Sequence, residues 1–283
     1  MFVPDRHAPH RPRGGDREPA SFSDPQGSRP LAGADEVNRD YYATLPPGRE
    51  DYWRKMAAPR FRVRTFLRLL DLEPPRALVD LGCGNGQLLG RFQERYPGAR
   101  LAGIDLSAAQ IEANRAKHSG IDWHVADLQR AGVLPAEIIG QFDAVVASEI
   151  IEHVADPETF LRNALQLASP GSGRLLLSTQ SGTIHETERR VGHHRHFDRI
   201  EMEHLITKTG WSAVRVWNYG FPFHDLSKWW ANRNPDANLA RFAERGYGPL
   251  ENGLCLALRF AFLFNSRRRG AQLFTIARRP GSS

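Results

Sequence analysis

A doubly wound α/β fold with a mostly parallel, seven-stranded sheet is the architecture this sequence predicts. Three observations carry the prediction. Short apolar runs alternate with amphipathic stretches of helical period, which is the pattern of successive βαβ units. The first such run leads directly into a loop of glycines, as a strand-to-helix turn requires. The length of 283 residues and an apolar fraction of 41% suit one large α/β domain with an insertion.

Taken in order, residues 1–34 hold six prolines and almost no apolar periodicity, so they are expected to form a disordered leader. They lack the apolar stretch of a secretory signal, and Asp5, Asp16, Glu18 and Asp24 interrupt the basic residues as a transit peptide would not. The main domain is expected over 35–220 and 271–280. Its first helix runs from Glu50 to Asp71 and stops at Pro74-Pro75. Ala77 to Leu81 reads as a strand, followed by the glycine loop and a helix with Leu88, Leu89 and Phe92 on one face. Leu101 to Ile104 is the second strand. Ser107, with Gln110 three residues on, opens the next helix as a capping box. Ile121 to Val125 and Phe142 to Ala147 are further strands, and Asp156-Pro157 starts a helix as N-cap and first residue. Arg174 to Ser178 follows as a strand, then a helix capped by Asp198 that ends at Gly210. Ser212 to Asn218 and Ala271 to Ala277 complete the sheet. The roughly fifty residues between them, 221–270, are too many for a hairpin loop. They carry Phe221, Phe223, Trp229, Trp230, Phe242 and Tyr247, and are expected to form a helical cap over a substrate region.

Composition excludes several classes. No segment reaches the roughly 18 apolar residues of a membrane span. The two cysteines, Cys83 and Cys255, lie far apart and read as reduced thiols, which sets a cytoplasmic expectation. The net charge of +6 comes almost wholly from arginine, a bias that does not by itself mark a nucleic-acid partner. Leu254 to Phe264 followed by Arg267-Arg268-Arg269 fits peripheral contact with a membrane surface.

The chemistry concentrates in two stretches. Asp80-Leu81-Gly82-Cys83-Gly84-Asn85-Gly86 has the spacing G-x-G-x-G rather than the G-x-G-x-x-G of the dinucleotide fingerprint, which argues against a nicotinamide-dependent oxidoreductase. Asp105 ends the second strand, where a carboxylate can accept from both hydroxyls of a ribose diol. Further on, Ser148-Glu149-Ile150-Ile151-Glu152-His153 places two carboxylates and an imidazole after the fourth strand, near the edge where open α/β sheets bind ligands. Mixed oxygen and nitrogen donors of this kind can hold a divalent cation such as Mg2+.

These motifs resemble the class I S-adenosylmethionine-dependent methyltransferases, whose fold is Rossmann-like. The likeness runs from about Val79 to Gly210 and continues through Gly103-Ile104-Asp105-Leu106-Ser107, Ala126-Asp127-Leu128, Phe142-Asp143-Ala144-Val145-Val146 and Glu152-His153-Val154. Ser172 departs from it, as an extra residue in a turn that usually reads Pro-Gly-Gly. The resemblance implies that Asp80, Gly82, Cys83, Gly84 and Gly86 pack against the methionine part of S-adenosyl-L-methionine. It further implies that Asp105 and Leu106 hold the ribose, that Asp127 and Leu128 flank the adenine, and that Ser148 borders the same pocket. The E-x-x-E-H order is similar to that of the ubiquinone-pathway and terminal small-RNA O-methyltransferases. By that likeness Glu149, Glu152 and His153 are metal candidates, joined by His194 or His196 from His193-His194-Arg195-His196-Phe197. His153, His194 and His196 are the candidate catalytic bases, and simple hydrogen bonding to a loop is their alternative role. The resulting expectation is methyl transfer to an oxygen of a small molecule, a natural product or sugar-bearing intermediate. The rivals are an N-methyltransferase, an RNA 2′-O-methyltransferase and a non-catalytic protein that keeps the cofactor fold.

Overall fold

The computed structural model describes residues 54–234 and 248–281. The leader expected over 1–34, the start of the first helix at Glu50, and Phe242 and Tyr247 lie outside the described residues. The elements, in chain order, are α1 (Ala57–Leu70), β1 (Ala77–Leu81), α2 (Gln87–Arg95), β2 (Arg100–Asp105), α3 (Ala108–Lys117), β3 (Ile121–Val125), β4 (Ala144–Ser148), α4 (Pro157–Leu167) and β5 (Arg174–Gln180). They continue with α5 (Glu186–Arg190), α6 (Arg199–Lys208), β6 (Ser212–Tyr219), α7 (Phe223–Arg233), α8 (Pro249–Ala261) and β7 (Gln272–Arg278). Short 3-10 turns occupy Ala136–Ile138, Ile151–His153 and Phe262–Phe264.

The seven strands form one sheet in the order β3-β2-β1-β4-β5-β7-β6. Only β7 runs antiparallel, slotted between β5 and β6. Central strands of a parallel sheet are covered on both faces, so they read as unbroken apolar runs. The burial shows why: successive residues of β1 serve opposite layers. Val79 and Leu81 join a core with Phe160 and Leu161 of α4 and Met202 and Ile206 of α6. Leu78 joins the other core, with Phe66 and Leu70 of α1, Leu89 and Phe92 of α2 and Ile111 of α3.

Helix starts follow local chemistry. Ser107 Oγ accepts from the Gln110 amide at 3.3 Å, Asp156 Oδ1 from Thr159 at 3.0 Å, and Asp198 Oδ1 from Glu201 at 2.8 Å. Each side chain satisfies one of the amides that a helix N-terminus leaves open. Strand order reverses between β1 and β4, and there the carboxyl ends of the strands frame a crevice. The described residues between β6 and β7 include two helices: α7 and α8 pack on each other, and α8 packs on α1. Among the described residues no helix is long and apolar enough to cross a membrane.

Candidate active site

The glycine loop leaves β1 and turns into α2 at the switch point. Gly82, Gly84 and Gly86 all adopt positive φ, at 68°, 47° and 71°. At Gly82 the reason is steric as well as conformational. A Cβ there would stand 2.6 Å from Ile150, which closes over the loop from beyond β4. At Gly84, among the described residues beyond its two chain neighbours, no atom lies within 4 Å of an added Cβ, so the loop faces open space there.

Asp105, at the end of β2, is tied to this loop. Its Oδ2 accepts from the Gly84 amide at 2.8 Å and its Oδ1 from the Ser107 amide at 2.9 Å. Asn114 of α3 donates to the Gly84 carbonyl at 2.7 Å and so fixes the loop from the other side. Burial raises the Asp105 carboxyl above its usual range, against the lowering pull of its backbone donors. Asp80, one residue before the turn, is raised well above by burial and then by the Asp105 charge. The Cys83 thiol is likewise pushed up, first by burial, and stays protonated. Leu106 is exposed and Leu128 buried, while Asp127 pairs with Arg130 at 3.1 Å and accepts from the Gln129 amide. Asp80, the glycines, Asp105, Asp127 and Ser148 therefore stand at the carboxyl ends of β1 to β4, along one edge of the sheet.

The second cluster lies after β4 and differs from the sequence expectation in its membership. Glu149 has a φ of 54°, an unusual conformation for a residue with a side chain. Its carboxylate is spoken for on every side. Gln180 donates at 2.6 Å, Gln272 at 2.8 Å and Ser178 at 3.0 Å, and Arg62 of α1 lies 3.6 Å away. Burial works to raise Glu149, but Arg62 and these donors hold it below the usual carboxylate range.

The ligand atoms that converge belong instead to Glu152, His153 and His193, all within 4.8 Å of one another. Of the metal candidates read from sequence, Glu152 and His153 belong to this group, with His193 beside them, while Glu149 is hydrogen-bonded to Gln180, Gln272 and Ser178. Glu152 is wholly buried; its Oε2 accepts from Thr179 Oγ1 at 2.7 Å, and its Oε1 has no hydrogen-bond partner among the described residues. Burial, and then the Glu149 charge, raise Glu152 well above the ordinary range. Hydrogen bonds set the histidine tautomers. Carbonyls only accept, so His196 Nδ1–H donates to Gly182 O at 3.0 Å, and His153 Nδ1–H to Gly192 O at 3.3 Å. His196 Nε2 then accepts from His193 Nδ1 at 2.9 Å. This leaves the Nε2 atoms of His153 and His193 as the basic nitrogens. Burial lowers His153 to about 4 and His196 to about 4. His194 is buried, and its backbone amide donates to Glu152 O at 2.7 Å.

Several members of the site were not foreseen. Arg62, Thr179, Gln180, Gln272, Asn114 and Lys228 carried no motif. A signal was nonetheless present, because Gln180 and Gln272 are polar residues at the ends of strand runs with apolar centres, Leu175–Leu177 and Leu273–Phe274. Lys228 of α7 reaches Glu188 at 2.7 Å and Gln180 at 3.3 Å, which brings the insertion to the wall of the cluster.

A family profile described as a methyltransferase domain matches residues 52–233, well over half of the chain. The chain belongs to this methyltransferase domain family. Among curated relatives, it is 40% identical over 117 residues to a ubiquinone biosynthesis O-methyltransferase of Xanthomonas axonopodis pv. citri, a match covering 40% of this chain and 46% of that one. It is 34% identical over 132 residues to a malonyl-[acyl-carrier protein] O-methyltransferase of Hahella chejuensis, covering 44% of this chain and 46% of that one. The chain thus spans about half the length of the curated relatives it matches. Among solved structures, a phosphoethanolamine N-methyltransferase 2 of Haemonchus contortus, in complex with S-adenosylhomocysteine, superposes with a TM-score of 0.53 at 18% identity. That superposition covers 77% of this chain and 52% of the other. The [4+2]-cyclase SpnF also shares the fold, with a TM-score of 0.52 at 18% identity, covering 78% of this chain and 81% of that one. The fold is the Rossmann-like one of class I S-adenosylmethionine-dependent methyltransferases.

Proposed function

We propose that this methyltransferase-family protein transfers the methyl group of S-adenosylmethionine to an oxygen of a small molecule. One observation carries the reading: Asp105 is locked against the glycine loop at the sheet's switch point, beside open space at Gly84. That arrangement suits a nucleoside whose ribose meets a carboxylate while its amino-acid portion lies along a side-chain-free turn. Asp80, Gly82, Cys83, Gly86, Leu106, Asp127, Leu128 and Ser148 complete the proposed cofactor pocket.

S-adenosylmethionine supplies a methyl group already activated by its sulfonium. The chain's task is then chiefly to orient the acceptor in line and keep water out. The wall formed by Glu152, His153, His193 and Lys228 is the proposed acceptor side, with α7 as part of its cover. The Nε2 atoms of His153 and His193 can accept a hydrogen bond from an acceptor hydroxyl, and so hold its oxygen lone pair toward the methyl.

The same donors fit a divalent cation: two imidazole nitrogens and a carboxylate whose buried Oε1 has no hydrogen-bond partner among the described residues. A cation held by Glu152, His153 and His193 would supply Lewis acidity to the acceptor oxygen. Transfer to nitrogen is the second reading, because the chain is also 36% identical over 107 residues to a norajmaline N-methyltransferase of Rauvolfia serpentina.

A panel of phenolic, carboxylic, sugar and amine acceptors with labelled S-adenosylmethionine, run with and without chelator, tests the reaction. Calorimetry tests the pocket. Asp105→Ala is expected to weaken S-adenosylhomocysteine binding by about 10- to 100-fold, as loss of hydrogen bonds to a charged group would. Absence of binding heat with the wild-type chain would remove the cofactor reading altogether, whereas activity indifferent to chelator would remove only the cation.

A further inference from the structure

The insertion turns its apolar side outward. In α8 and the 3-10 turn after it, Leu250, Leu256, Phe260, Leu263 and Phe264 are exposed, with Phe260 at 65% and Leu256 at 62%. Their spacing, together with Gly253 and Ala257, follows one helical stripe. No charged or polar side chain interrupts it. The opposite side of α8 is the one that packs inward, through Cys255. A surface helix that served only the core would be oriented the other way round.

The neighbouring α7 repeats the arrangement. Leu226, Trp229 and Trp230 are exposed at helical spacing, and Arg233 lies over the Trp229 ring at 4.7 Å. Tryptophan and arginine in such pairs suit the boundary between hydrocarbon and water. A contiguous exposed apolar surface of this kind marks a docking face rather than ordinary solvated surface.

Charge identifies what docks there. Arg267, Arg268 and Arg269 follow the apolar stripe directly and are exposed. Their turn is held by backbone hydrogen bonds from Phe221 N to Arg269 O at 3.0 Å and from Ser266 N to Phe221 O at 2.6 Å. On α1, against which α8 packs, Arg60, Arg64 and Arg68 recur every fourth residue, and the helix has no acidic residue. No aspartate or glutamate occurs anywhere from residue 252 to 283. Arg60 feels burial first, and then Arg259, Arg91 and Arg64, which shows how closely the cations gather. Acid on the two helices is confined to their first turns, at Asp225 and Glu251. Apolar side chains and aromatics rimmed by arginine complement an anionic bilayer.

We propose that the outward face of α7 and α8, with the arginine turn at 267–269, docks on the surface of anionic phospholipid membranes. The apolar stripe enters the headgroup boundary while the arginines meet lipid phosphates. The association is peripheral and needs no bound methyl donor.

Flotation of the full chain with phosphatidylcholine vesicles, with and without phosphatidylglycerol, tests this. The chain is expected to float with the anionic vesicles at low salt and to be released as salt shortens the screening length. Arg267→Ser/Arg268→Ser/Arg269→Ser and Leu256→Ser/Phe260→Ser should each lower partitioning by about tenfold or more. A second measurement is independent of how those variants fold. Tryptophan emission of the wild-type chain should be quenched by brominated lipid in anionic vesicles, and less so in Trp229→Phe/Trp230→Phe. Failure of the wild-type chain to float or be quenched at low salt overturns the proposal. So does flotation that both surface variants retain in full. A dimer in sedimentation equilibrium that Phe260→Ser dissociates, with no vesicle binding, would assign the face to a second copy of the chain.

Discussion

At the scale of single residues, the crevice is governed by carboxyl groups placed in unlike surroundings. Asp80 and Glu152 are buried with another acid nearby and favour their protonated forms, whereas Glu149 is held ionised by Arg62 and its amide and hydroxyl donors. A pH dependence follows for Asp80 in the ligand-free protein. Its native carboxyl titrates above the unfolded value of 3.8, so its contribution to stability is complete below that value and is lost as pH rises through the native one. Asp80→Asn is neutral at every pH and lacks this loss. Urea denaturation at about pH 4 and about pH 8 should show the stability difference moving in the variant's favour as pH rises. A difference that stays flat would mean that Asp80 is not a strained buried acid.

At the scale of elements, helix caps and strand runs were legible because they are local. Ser107, Asp156 and Asp198 cap the helices that their sequence context announced, and the glycine loop falls between β1 and α2. Asp198→Ala should lower stability by about 1 kcal/mol, read as a lower urea midpoint with an unchanged slope. A cost near zero would show that α6 is held by Met202 and Ile206 alone. The composition of the second cluster was less legible. Sequence spacing placed Glu149, Glu152 and His153 together, but φ at Glu149 turns its carboxylate toward Gln180 and Gln272, residues 31 and 123 positions away. Such partners are fixed by sheet register, which short-range pattern does not encode. The same holds for Arg62, which reaches the site from α1 across 87 residues of chain (149 − 62). His193 and His194 are both buried, and which of the two lies beside Glu152 and His153 is not encoded in their spacing. The outward stripe of α8 was visible as an apolar run beside arginines; which of its faces is buried was not.

At the scale of the whole molecule, the proposed cofactor pocket lies at the ends of β1 to β4, while the proposed acceptor wall draws on β5, the histidine segment and the insertion. A ligand that binds only the folded state stabilises it by mass action. S-adenosylhomocysteine at about a hundred times its dissociation constant should therefore raise the unfolding midpoint by roughly 5–10 °C. Differential scanning fluorimetry reads this directly. NADH should produce no shift, because the loop spacing is not that of dinucleotide binders.

The placement of β7 ties two parts of the fold together. It follows the other described strands in sequence, yet it fills the gap between β5 and β6 and delivers Gln272 to the Glu149 carboxylate. Without it, β5 would present an open edge and β6 would lose the strand it pairs with. One segment thus closes the sheet against edge-to-edge association and completes the polar network beside the crevice.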